Sequence, residues 1–204
     1  MTEKTSTRVP TQERGIKTKQ KIIDAGRKLF SDKGYYKTNS KEIAREAGVS
    51  TGSFYMYFKD KKPLFLEIFQ SYYREISEKV LEGNLEQLLQ TGSKKKAIGE
   101  LVTLLYEAHT IDPAFHREAI SMIYTDNDVQ ELNRIEEEKV VALLAGFLET
   151  YQKELTVKDL EAAARIIHKS AEEVIHSIKI FGTPIEENRM LTELTEMIYR
   201  YLFC

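Results

Sequence analysis

The chain has few of the residues from which covalent or catalytic chemistry is built. Its only cysteine is Cys204, which excludes an internal disulfide and any zinc site made from several cysteines. No apolar run approaches the ~18 residues a membrane-spanning helix needs. Residues 1–22 are polar and basic, so no signal peptide is expected and the expected setting is soluble and cytoplasmic. There is no phosphate-binding glycine loop, no G-x-S-x-G and no H-E-x-x-H. Strand-like alternation and internal repeats are missing as well. From the sequence, no catalytic residue, cofactor or metal is assigned, and the fold class is all-α.

What is present centres on Thr38 to Lys61, TNSKEIAREAGVSTGSFYMYFKDK. Ile43, Ala44 and Ala47 recur at helical spacing, and Asn39 followed by Glu42 has the form of a capping box. Gly48 comes where a helix exit needs positive φ. Val49 is the apolar plug, and Ser50 or Thr51 can cap a second helix running to Phe58. Two helices of about two turns joined by a three-to-four-residue turn make a helix-turn-helix, whose second helix can enter a DNA major groove. Phe54 and Phe58, four apart, bury one face with Val49. The other face carries Thr51, Gly52, Ser53, Tyr55 and Tyr57, all small or hydrogen-bonding and none negative. Gly52 costs about 1 kcal/mol of helix propensity against alanine, which points to close approach by phosphates or base edges.

These residues resemble a known family. Ile23, Ala25, Phe30, Gly34, Tyr35, Thr38, Ile43, Ala44, Ala47-Gly48-Val49-Ser50, Gly52, Phe54-Tyr55, Tyr57-Phe58, Lys61 and Leu64 look like the N-terminal domain of the TetR/AcrR transcriptional regulators, over about residues 16–70. Met56 and Pro63 depart from the pattern, and Pro63 falls in a first helical turn, where proline is tolerated. The resemblance implies that Thr51, Gly52 and Ser53 face base edges. It implies that Tyr55 and Tyr57 hold phosphates, helped by Lys61, Ser40 and Lys41. It also implies a homodimer joined through the last two helices of each subunit and bound to a palindromic double-stranded operator.

Charge divides the chain in the same place. Residues 1–62 hold 15 Lys and Arg against 7 Asp and Glu, a net +8, while residues 63–204 hold 15 against 25, a net −10. A basic head on an acidic body is the footprint of a DNA binder. The expected division is a disordered arm over 1–15, a three-helix DNA-binding head over 16–62, and a helical-bundle ligand-binding and dimerisation body over 63–204. The first helix runs from about Ile16 to Lys33, with Gly26 on its apolar stripe where a neighbouring helix can come close. A fourth, from about Lys61 to Glu82, starts in the head and ends in the body. Gly83-Asn84 weakens it, and Thr91-Gly92-Ser93 marks a loop.

Body helices are expected over about Lys94–Thr110, Pro113–Tyr124, Asp126–Gln152, Val157–Phe181 and Glu186–Phe203. The patch Glu136-Glu137-Glu138-Lys139 reads as a solvated face. The last two helices have apolar stripes wider than one core contact requires, as suits a helix–helix dimer interface. His168, Glu172 and His176 share one helical face, but i and i+8 lie about 12 Å apart along the axis, too far to ligate one ion. They read as polar residues lining a bundle seam or pocket. Tyr106, His109, Phe115, Met122, Tyr124, Phe147, Tyr151 and His176 are candidates to line a pocket for a small apolar or aromatic effector. The function expected is a homodimeric repressor released from its operator by that effector. The alternative is a DNA-binding regulator without a small-molecule effector, governed by a protein partner or constitutive.

Overall fold

The computed structural model describes residues 8–81 and 93–204, and every regular element among them is helical. In chain order these are α1 (Arg8–Lys33), α2 (Ser40–Glu46), α3 (Thr51–Tyr57), α4 (Lys61–Leu81), α5 (Lys94–Ala108), α6 (Pro113–Thr125), α7 (Asn127–Thr150), α8 (Leu160–His176) and α9 (Glu187–Phe203). A 3-10 turn, Gln152–Glu154, follows α7, and α8 ends in a π turn, Ser177–Phe181. α1 begins well before Ile16, with Pro10 in its first turn, where the missing N–H costs nothing. Polar residues can extend a helix without leaving an apolar period to read. Of the expected arm, residues 1–7 lie outside the described residues, as do Gly83-Asn84 and Thr91-Gly92.

The chain divides into two compact units, one up to Phe69 and the other from Gln70, so the division falls inside α4. In the first unit Ile22, Ala25, Phe30, Ile43, Ala44, Phe54, Phe58, Leu64, Phe65 and Ile68 are buried together. Phe30 and Tyr35 meet Phe65 edge-on, with ring centroids 5.3 and 5.2 Å away. α4 crosses α1 at Gly26: a methyl group there would lie 2.7 Å from Leu64 Cδ2 and 3.2 Å from Ile68 Cδ1. The missing side chain is what lets the two helices touch. Lys33 Nζ bonds the Glu42 carboxylate at 2.7 Å, and Lys28 pairs with Glu46, so α1 holds α2 at two points.

In the second unit Ile98 and Val102 of α5, Val141 and Leu148 of α7, Ala163, Ala164, Ile167 and Ala171 of α8, and Leu194, Ile198 and Leu202 of α9 form one core. The alanines keep α8 slim enough for neighbours on both sides. The acidic patch on α7 is more than a solvated face. Glu137 and Glu138 meet Lys169 and Arg165 of α8 at 2.7 and 2.8 Å.

Candidate nucleic-acid interface

The turn between α2 and α3 is set by backbone chemistry. Asn39 Oδ1 accepts from the N–H groups of Lys41 and Glu42, both at 3.1 Å, and the Glu42 carboxylate accepts from Asn39 N–H at 3.2 Å. The capping box is therefore formed as its spacing predicts. Gly48 takes φ +66°, and Val49 N–H reaches back to Ala44 C=O at 2.9 Å, closing α2. Ser50 caps α3, accepting from Ser53 N–H at 3.0 Å.

Phe54 and Phe58 are buried, and Val49 beside them is half-buried, which leaves the rest of α3 facing outward. Gly52 and Tyr55 are exposed, while Thr51, Ser53 and Tyr57 are half-buried. Among the described residues a methyl group at Gly52 would meet only Ser50 Oγ, at 3.8 Å, so none of them demands a glycine there. Met56, at 81% exposure, stands out from the same helix one turn after Gly52. Sequence reasoning left it outside the candidate set because it breaks the family pattern, although its i+4 spacing from Gly52 was the available signal.

Lys41 is exposed in the first turn of α2, and Ser40 beside it is half-buried. Lys61 is placed differently. Its Nζ donates to the carbonyls of Tyr35 and Thr38, at 2.6 and 2.8 Å, and lies 4.2 Å from the centre of the Tyr35 ring. It ties the start of α4 to the link between α1 and α2.

The candidate pocket residues of the body are not brought together into one cavity. Phe115 and Met122 are fully buried core, and Tyr124 is 83% exposed. Tyr106 donates to Glu187, with Lys179 Nζ 3.6 Å from its ring centre. Phe147 and Tyr151 line a cavity of about 160 Å³ with Ile98, Leu101, Leu155 and Phe203.

His109 and His176 meet elsewhere, together with His116, which was not among the candidates read from the sequence. His116 Nε2 is 2.9 Å from His176 Nε2, and its Nδ1 pairs with Tyr72 Oη at 2.6 Å. His109 donates from Nδ1 to Leu105 C=O at 2.7 Å. Its Nε2 is buried without a hydrogen-bond partner among the described residues, with Glu172 Oε2 3.5 Å away at ion-pair range. The same oxygen lies 3.2 Å from His176 Nε2. Burial and the neighbouring His109 and His176 push His116 down to about 3. Burial opposes the charged form of His109, but the Glu172 carboxylate and the Leu105 carbonyl outweigh it and hold its pKa above the ordinary value. Burial likewise opposes charge on Glu172, yet His109 and His176 hold its carboxyl well below the usual range. His168 lies outside this group, as its helical spacing required.

Two family models match the chain. "Bacterial regulatory proteins, tetR family" covers residues 22–68, and "Tetracyclin repressor-like, C-terminal domain" covers residues 95–202. Among curated proteins, the chain is similar to the uncharacterized HTH-type transcriptional regulator YuxN of Bacillus subtilis, 32% identical over 123 residues. That match takes in 60% of this chain and 40% of YuxN, so the chain spans well under two thirds of such relatives. Solved structures that share its fold include the following two. A protein from Mesorhizobium loti described as TetR-family has a TM-score of 0.74 at 20% identity, covering 94% of this chain and 99% of its own. The fatty acid degradation regulator FadR from Bacillus halodurans has a TM-score of 0.67 at 17% identity, covering 96% of each.

Proposed function

As the chain belongs to the TetR family, whose members are DNA-binding transcriptional regulators rather than enzymes, we propose that it is a homodimeric repressor that grips a palindromic operator and leaves it when an effector binds the body. The observation that carries the reading is α3: a capped helix with buried phenylalanines behind it and Gly52, Tyr55 and Met56 exposed in front. Thr51, Gly52 and Ser53 meet base edges. Met56 adds an apolar contact of the kind that reads a thymine methyl. Tyr55, Tyr57, Ser40 and Lys41 hold phosphates, while Lys61 shapes the surface from behind. The second copy packs on α8 and α9, where Ile166 and Met197 remain about half exposed beside a buried stripe.

The effector is a small apolar or aromatic molecule. In support, the 160 Å³ cavity between α5, α7 and α9 is lined mainly by apolar side chains and has the volume of a site for one aromatic ring. That volume is below the ~300–1,000 Å³ of ordinary ligand pockets. It favours, as second reading, a regulator with no small-molecule effector. A thermal-shift screen separates the two, since a bound ligand raises stability as RT ln(1+[L]/Kd).

The DNA reading is tested by recovering and sequencing genomic fragments retained by the protein. Retained fragments should share an inverted repeat with half-sites about 34–36 Å apart, or a further turn. On that operator, Lys41→Ala should flatten the log–log salt slope by about 0.9. Retention of fragments without a shared repeat would defeat the palindromic reading.

A further inference from the structure

We propose that His109, His116, His176 and Glu172 form a binding site for one divalent first-row transition-metal ion, of the zinc or cobalt kind. The ligands come from three helices: His109 caps the end of α5, His116 lies in the first turn of α6, and Glu172 and His176 face the same way from the last turns of α8. One ligand nitrogen from each histidine lies within 4.8 Å of the other two. The separations around the group are 2.9 Å (His116 to His176), 3.2 Å (His176 to Glu172) and 3.5 Å (His109 to Glu172). A tetrahedral ion with bonds of about 2.0–2.1 Å needs its ligand atoms about 3.3 Å apart. Shifts of a few tenths of an ångström would satisfy it on these three edges.

The hydrogen bonds favour an ion in the middle. His109 spends its Nδ1 proton on the Leu105 carbonyl, which can only accept. In its neutral form the ring therefore turns a bare Nε2 lone pair toward a carboxylate oxygen, and that buried nitrogen has no hydrogen-bond partner among the described residues. Two acceptors facing each other in a buried place call for a cation between them. Outer contacts at Nδ1, Leu105 C=O for His109 and Tyr72 Oη for His116, are the kind that orient metal-bound imidazoles. Three imidazoles and one carboxylate suit zinc, cobalt or nickel better than magnesium or calcium, which prefer oxygen. Glu172 and His176 are partly exposed, so an ion can enter from their side. A proton on His109 is the competing cation, and it requires no metal.

The experiment uses the full chain without an affinity tag, stripped with chelator and titrated with Co²⁺ and then with Zn²⁺. One cobalt per chain with the visible bands of four-coordinate cobalt, displaced by zinc, is the expected result. Zinc should also raise Tm. His176→Gln, which removes one ligand at the partly exposed side, should weaken cobalt binding more than about 100-fold. His109→Ala should do the same wherever circular dichroism shows it folded. His168→Gln, outside the group, should bind like the parent. No stoichiometric cobalt binding by the parent overturns the site. Undiminished binding by folded His176→Gln, or loss of binding in folded His168→Gln, overturns the ligand assignment.

Discussion

At Gly26 an added methyl would press on Leu64 and Ile68, both essentially unexposed and so without room to turn away. Overpacking of that sort costs about 1–3 kcal/mol, against about 1 kcal/mol of helix propensity gained. Gly26→Ala is therefore expected to destabilise the chain by about 1 kcal/mol net, read as a lower urea midpoint. Gly52→Ala should do the reverse. The methyl meets nothing closer than 3.8 Å, so the chain gains about 0.5–1 kcal/mol, while operator affinity falls about 5- to 150-fold as the new group keeps the backbone from the base edges. An unchanged operator affinity would mean that Gly52 meets no DNA. Lys61→Met keeps the stem of the side chain but loses donors to two backbone carbonyls. A stability loss of about 1–3 kcal/mol is expected, measured by denaturant melts before any DNA titration is interpreted. Tyr55→Phe, in which only an outward hydroxyl is lost, should melt within about 0.5 kcal/mol of the parent.

The element most exposed to a single change is α2, only seven residues long and therefore dependent on its ends. Its N-terminus is held by Asn39, and Asn39→Ala should cost about 1 kcal/mol in a urea melt. Glu42 completes the box and also accepts from Lys33, and these bonds hold its carboxyl below the ordinary value. With the folded pKa depressed, that contribution is present at neutral pH and is lost as pH falls below about 4.5 through the folded pKa. Comparing Glu42→Gln with the parent from pH 7 down to pH 3 should show the difference between them shrinking with acid. A constant difference would assign the effect to shape rather than charge.

On the scale of the whole molecule, the proposed function requires a pair of α3 helices held at one groove spacing. Met197→Asp together with Ile166→Asp would place a charge in each apolar face left open on α9 and α8. Sedimentation of the parent at micromolar concentration should show a dimer, and the double variant a helical monomer that no longer shifts the palindromic operator. A double variant that stays dimeric would move the interface elsewhere. α4 begins in the first unit and continues into the second, and the proposed release by an effector would act through it. A coupling of about 1–3 kcal/mol, 5- to 150-fold, is enough, and operator must weaken effector binding by the same factor. Equal effector affinity with and without operator would exclude release by that molecule.

The sequence determined the head almost residue by residue. Asn39 with Glu42, Gly48, Ser50, and Phe54 with Phe58 act through contacts a few positions apart, and such contacts are written in spacing alone. That some neighbouring helix would approach α1 was legible in Gly26, because a missing side chain on an apolar stripe has few other uses, but only the structure names that neighbour as α4. The outward turn of Met56 was legible in its i+4 spacing from Gly52 and was passed over, whereas the inward turn of Lys61 followed from packing that no local pattern expresses. The gap was widest in the body. Tyr106, Phe115, Tyr124 and Phe147 are alike in being aromatic, yet packing sends them to a surface contact, a core, solvent and a cavity wall. His109 and His176 are distant in sequence, and no periodicity relates residues on different helices. Only the docking of α5, α6 and α8 brings their nitrogens to one point, because side chains from separate helices converge through the angles at which those helices cross.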